Sequence, residues 1–280
     1  DMSGYFNVQV PAGVTIASNR GENGAAGGRI YQNRLTTDTS PAEYWPPLFK
    51  PSGAGARFTG LRIEGPDKTT NAPDARCAIH AYYWMEVDNC EIWGWSHAGI
   101  VALYRPGDVS DMKNGGYFHH NHIHHCQMSG LGYGIVMSDG AVSLIEANYF
   151  DYCRHAIAGD GIAGEGYEAR YNICGPNATS HIFDMHGKPN PSGSGTIAGD
   201  TIRIHHNTFM ATEPLHAFPV CIRGVPRDGA YIDHNWFYYT QAPPVWQMNG
   251  KGNIYVTDNI IGQNKTFSPS GPIEYSTWDY

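Results

Sequence analysis

The chain has 280 residues, a net charge of −8 and no Lys/Arg-rich run, which makes nucleic acid an improbable partner by charge alone. No apolar run approaches the roughly 20 residues needed to span a bilayer. Charged residues make up only 16%, while 34 Gly, 18 Pro, 18 Tyr and 7 Trp suit many short strands joined by turns and exclude a helical bundle.

In chain order, VPAGVTIAS (10–18) reads as a first coil, and 19–57 as a Gly-rich then Pro/aromatic segment capping or covering it. A short unit then recurs: an apolar residue, two variable ones, often Asn, one variable, then Ile or Phe. Its copies are FTGLRI (58–63), VDNCEI (87–92), FHHNHI (118–123), IEANYF (145–150), ARYNIC (169–174), IHHNTF (204–209), IDHNWF (232–237) and VTDNII (256–261). The fourth position is Leu61, Cys90, Asn121, Asn148, Asn172, Asn207, Asn235 and Asn259, at steps of 24 to 35 residues. Stacked coils would let each buried Asn hydrogen-bond its counterpart one coil away, forming a ladder. Long inserts at 66–76, 103–116, 187–200 and 224–229 interrupt the coils, and the polar tail 263–280 is expected along their side.

By these repeats the chain resembles the right-handed parallel β-helix proteins, the pectate-lyase-like and other carbohydrate-active solenoids. The likeness covers roughly residues 56–262. It implies an all-β, single-stranded parallel β-helix of about eight to ten coils, one domain over 1–280, with a first coil and cap in 1–57 and ladder coils in 58–262. The fold hosts lyases, hydrolases, epimerases, adhesins and tailspikes, so it does not choose a function.

With register fixed, offsets from the ladder become columns. Two places before it stand Thr59, Asp88, His119, Glu146, Arg170, His205, Asp233 and Thr257; one place before it stand Gly60, Asn89, His120, Ala147, Tyr171, His206, His234 and Asp258. Both read as a solvated edge with alternating signs. In the HHNHIHH run (119–125) the alternation is expected to split the imidazoles between two sides of a bend. With no Cys or carboxylate at zinc-finger or HExxH spacing, a transition-metal site there is the minority reading. A Ca²⁺ held by Asp88, Glu146 or Asp184 is the cofactor reading that oxygen chemistry allows, with no metal ligand set assigned. The six Cys contain no C-x-x-C pair; Cys126 and Cys153 share an offset and should stack on adjacent coils, close enough for a disulfide, with an apolar stack of free thiols as the plainer reading.

The stretch from Cys153 to Gly187 concentrates residues that are costly in a core and useful at a site. AGIVAL, YGIVMS, HAIAGD, HIFDMHG and PVCIRG align as successive second strands. Phe183, Met185, Val220 and Ile222 then point inward, Asp184, His186 and Arg223 outward, with Arg223 one coil from His186 and His155 on the coil before. The expected catalytic set is His186 or His155 as base, Tyr167 as acid, with Asp184 and Glu168. The expected binding set is Arg223, Arg170, Arg154, His181 and the platform aromatic Trp236. The Asp-x-His of 184–186 is similar to the Asp-Pro-His element of β-helical alginate epimerases, with Met185 in place of Pro.

These parts fit β-elimination on a uronate polysaccharide, an Arg or Ca²⁺ neutralising the carboxylate. Hydrolysis by a carboxylate pair from Asp160, Glu165, Glu168 and Asp184 is the alternative. A third is a non-catalytic surface-layer, adhesin or fibre protein, with His181, Asp184 and Arg170 merely holding turns. The sequons at Asn177 and Asn264 and the low Lys content point to a secreted or cell-surface protein. Opening on Asp1, the sequence reads as a processed or trimmed chain.

Overall fold

The computed structural model describes residues 1–33, 46–69, 75–104, 115–212, 218–240 and 243–262, and the backbone of strands Thr266–Ser270 and Ile273–Ser276. It is all-β apart from one 3₁₀ turn at Glu22–Gly24 among the described residues. Its long parallel sheets are consistent with a parallel β-solenoid. A 10-stranded sheet runs through Val8–Val10, Pro47–Pro51, Cys77–Tyr82, Ala98–Leu103, Tyr133–Ser138, His155–Gly159, Phe183–Met185, Val220–Ile222, Val245–Met248 and Ile273–Ser276. All its pairings are parallel, each strand paired with the ones a coil before and after it.

A further 18 strands form a second sheet, most of them as two legs per coil that meet at the ladder bend, and the remaining two, Lys188–Pro189 and Thr196–Ile197, pair with each other. The residue before the ladder position carries φ of 52–65° in all eight copies, from Gly60 and Asn89 to His234 and Asp258. Such left-handed backbone costs a Cβ-bearing residue about 1–2 kcal/mol. The ladder it turns inward returns that energy. Each of the six Asn is at most 2% exposed. Asn148 shows the pattern: its Nδ2 donates to Asn172 Oδ1 at 3.0 Å and to the Phe118 carbonyl at 2.9 Å. Its Oδ1 accepts from the backbone N–H and the Nδ2 of Asn121, both at 3.0 Å. The amide thus meets its full bonding capacity without water. The pattern continues through Asn172, Asn207, Asn235 and Asn259.

Between the sheets lies one continuous core of Ile, Phe, Val and Ala, including Phe58, Phe118, Ile145, Phe183, Phe209 and Phe237. All six cysteines are buried and unbridged. The outward column from Thr59 to Thr257 is in register across all eight copies. Two expectations about the ends need correction. Arg29–Tyr31 and Pro47–Pro51, read as cap, are strands paired in parallel into the stack: Arg29–Tyr31 with Arg62–Glu64, and Pro47–Pro51 with Val8–Val10 and Cys77–Tyr82. The part of that segment at 34–45 lies outside the described residues. The tail likewise joins the sheets: Ile273–Ser276 pairs with Val245–Met248, and Thr266–Ser270 pairs antiparallel with Ile254–Ile261.

Candidate functional site

Alternation places Phe183 and Met185 in the core and turns Asp184 to the other face of the 10-stranded sheet. There it meets side chains from three successive coils. Arg223 grips the carboxylate with two bonds, Nε to Oδ1 at 3.0 Å and a terminal nitrogen to Oδ2. His186 Nε2 lies 3.1 Å and His155 Nε2 3.3 Å from Oδ2. Asp184 and His155 are fully buried, whereas His186 keeps 24% of its side chain exposed. Burial opposes the Asp184 charge, yet His155, His186 and Arg223 together hold its pKa well below the usual carboxylate range. Burial drives His155 the other way, well below an ordinary imidazole, against the pull of Asp184.

His155 is fixed further by its Nδ1, 2.5 Å from the His181 carbonyl, so Nδ1 must carry the proton. Its ring stacks between Tyr133, 5.6 Å away, and His181, 6.0 Å away. His181 is 2% exposed, and burial lowers its pKa to about 4. These rings form the packed floor of a site. Above it opens a cleft of about 590 Å³ lined by Gly130, Arg154, His186, Gly187, Lys188, Pro189, Thr196, Arg223 and Asn249. One wall is the hairpin Lys188–Pro189/Thr196–Ile197, formed by the insert after Gly187. Arg154 leans on the Gly130 carbonyl at 3.3 Å. Among the described residues neither Arg154 nor Lys188 has a carboxylate partner, and no carboxylate lines the cleft. It is therefore a hollow lined by cations, with an imidazole backed by a buried carboxylate in its wall.

The backbone packs tightly to achieve this. Gly161 sits at φ 81° with its missing Cβ only 1.8 Å from the His186 carbonyl, and a Cβ on Gly187 would lie 1.9 Å from the Arg223 carbonyl. Any side chain at either place would push the site strands apart.

The structure thus gathers Asp184, His186, Arg223, Arg154, His155 and His181, and separates the rest of the expected set. Tyr167 points into the core: it is fully buried, its hydroxyl has no hydrogen-bond partner, and burial raises its pKa well above the ordinary phenol value. It cannot reach a ligand in the cleft. Glu168 and Arg170 lie on the outer face of the second sheet, where Arg170 bonds Glu168 at 2.9 Å and Glu146 at 2.7 Å. Trp236, on the same sheet, donates from Nε1 to the Gly262 carbonyl at 3.0 Å. Strand Gly166–Arg170, which carries Tyr167, Glu168 and Arg170, belongs to the second sheet, across the core from Phe183–Met185, and so does strand Trp236–Phe237.

The hydrolytic carboxylates are also dispersed. Glu165 is buried with its Oε1 accepting from the Gly161 N–H at 2.9 Å, and burial with the nearby Asp160 pushes its pKa well up. The three carboxylates considered for Ca²⁺ each hold an arginine instead: Asp88 with Arg57, Glu146 with Arg170, and Asp184 with Arg223. Sequence reasoning missed Lys188, Thr196 and Asn249. Lys188 directly follows the aligned Gly187 and was within reach; Asn249 follows strand Val245–Met248, which was not aligned.

No helix among the described residues is long and apolar enough to cross a membrane. Compared with protein-family models, with curated proteins and with solved structures, the chain matches none.

Proposed function

We propose that the chain is a polysaccharide lyase acting on a uronate-containing polymer in this cleft, on a right-handed β-helix of eight to ten coils in a single domain. The supporting observation is the partly exposed His186 backed by buried Asp184, beside Arg223 and the carboxylate-free cations Arg154 and Lys188. In this reading Asp184 holds the Nε2–H of His186 and leaves Nδ1 as the base. Nδ1 removes the proton at C5 of the uronate, the C–H electrons form the C4–C5 double bond, and the C4–oxygen bond breaks. The cations neutralise the carboxylate, which acidifies C5–H and stabilises the enolate-like transition state. With Tyr167 buried, the proton for the leaving oxygen comes from water in the open cleft.

His155 has no route to substrate and is instead a positioning residue that packs Asp184. The hydrolase alternative loses ground because no two carboxylates face one another in the cleft. A polymer substrate places the protein outside the cell or on its surface. Titration calorimetry with an acidic oligouronate tests the binding half of the proposal. Arg154→Ala combined with Lys188→Ala should weaken binding at least tenfold. A neutral glucan should not bind; equal affinity for both polymers would refute an anion-selective cleft.

A further inference from the structure

A second cluster lies away from the cleft, on the outer face of the second sheet. Strands Glu91–Trp93 and His122–His124 pair in register, with Glu91 opposite His122 and Trp93 opposite His124. Ile92 and Ile123 point into the core, so Glu91, His122 and His124 share the outer surface. The two imidazoles stand with ring centroids 4.3 Å apart. One ligating atom from each of the three residues lies within 4.8 Å of the others.

The details favour an ion over a simple ion pair. His124 Nε2 is 3.4 Å from Glu91 Oε1. That is long for a charge-assisted hydrogen bond, which runs about 2.7–2.9 Å. It equals the spacing of two ligands on one tetrahedral ion, about 3.3–3.4 Å for bonds of about 2.0–2.1 Å. Second, the His122 ring makes no hydrogen bond among the described residues; it only packs on His124 and, at 5.1 Å, on Tyr149. Third, the outer atoms are already held. Arg62 bonds the other oxygen, Glu91 Oε2, at 2.8 Å, and His125 Nδ1 lies 2.7 Å from His124 Nδ1. Donation from His124 Nδ1–H to His125 leaves the Nε2 lone pair facing Glu91, the arrangement by which outer partners orient a metal-bound histidine. The facing Trp93 ring stacks on His124 at 5.7 Å and limits its rotation.

We infer that Glu91, His122 and His124 form a binding site for a borderline-soft divalent ion of the Zn²⁺ type, with a position left open for water. A hard ion such as Ca²⁺ needs six to eight oxygens and finds one carboxylate here. The geometry also revises the expectation for the histidine run. The bend at Asn121 separates His119 and His120 from His122 and His124, but the carboxylate comes from the coil below, a distance of 31 positions that local motifs do not span.

The test is a Zn²⁺ titration of the full chain at pH 7.5, by competition with a chromophoric chelator, with Ca²⁺ run in parallel. One tight equivalent is expected, at least 100-fold tighter than Ca²⁺. Glu91→Gln, His122→Ala and His124→Ala should each weaken it at least tenfold, while His119→Ala and His205→Ala stay within twofold. Proton NMR should show the His122 and His124 ring signals shifting on saturation. Glu91→Gln is near-isosteric at a partly buried position on the outer face, and circular dichroism confirms folding of each variant. Zn²⁺ no tighter than Ca²⁺, or affinity unchanged in both His122→Ala and Glu91→Gln, overturns the inference. So does a loss that follows His186→Ala in place of these variants.

Discussion

At the scale of single residues, the buried amides of the ladder are held by geometry that satisfies them. Asn172 shows this most sharply: its Oδ1 accepts from both Asn148 N–H and Asn148 Nδ2, and its own Nδ2 donates to Ile145 and Asn207. Asn172→Ala leaves two buried donors of Asn148 without an acceptor and is expected to cost about 3 kcal/mol. The neighbouring exposed Tyr171→Ala should stay within roughly 1 kcal/mol. Denaturant unfolding of both variants checks the contrast. His97 and His181 follow the same rule for charge. Burial lowers them to about 3 and about 4, so both are neutral in the folded chain. Unfolded, they titrate near 6.5. Because the folded pKa is the lower one, their stabilisation is complete above pH 6.5 and is lost as pH falls through 6.5 towards 4–3. Near pH 5 unfolding should take up about two protons for this pair, a slope near 2.7 kcal/mol per pH unit. His97→Asn should remove about half of that slope in melts recorded from pH 7 to 5.

At the scale of the strand, the site depends on backbone spacing between coils. Gly161 and Gly187 let the segments carrying His186 and Arg223 approach closer than any Cβ allows. Gly161→Ala adds a clash to a left-handed conformation and is expected to cost about 2–4 kcal/mol. It should also displace His186 and reduce turnover. The matched control Gly193→Ala, which meets no backbone, should do neither. The same scale shows what could be read in advance. The offsets of His186 and Arg223 from Gly187 and Gly224 placed them on adjacent coils, and the observed bond from Arg223 N–H to the Met185 carbonyl at 2.8 Å agrees. Alternation also turned Asp184 away from the core. What it could not give was depth: outward from a sheet means solvent only where nothing covers it, and here His155, His186 and Arg223 bury the carboxylate completely. The turn after Gly159, expected to bring Tyr167, Glu168 and Arg170 beside the site, instead carries them to the opposite sheet.

At the scale of the molecule, the chain repeats one bend, and each repetition adds a rung to a rigid wall. The repeat spacing and the outward column from Thr59 to Thr257 were fully legible, because one register governs every coil. The left-handed residue before each ladder position was not. Gly, Asn, His, Ala, Tyr and Asp all occupy it, so no one residue type marks it. The ends were misread for a related reason: 19–57 and 263–280 lack the repeat, yet their strands find edges to pair with. Two clusters then share one scaffold, a basic cleft on the 10-stranded sheet and a histidine-rich face on the other. The claim that matters most is that the cleft breaks acidic polymers by elimination. It is tested by incubating the full chain with pectate, alginate, glucuronan and glycosaminoglycans while following near-ultraviolet absorbance from new unsaturated uronides. The account predicts a steady rise with one of these polymers, abolished in His186→Ala at an unchanged melting temperature. Flat traces on every polymer, or a rise that His186→Ala leaves intact, contradict it.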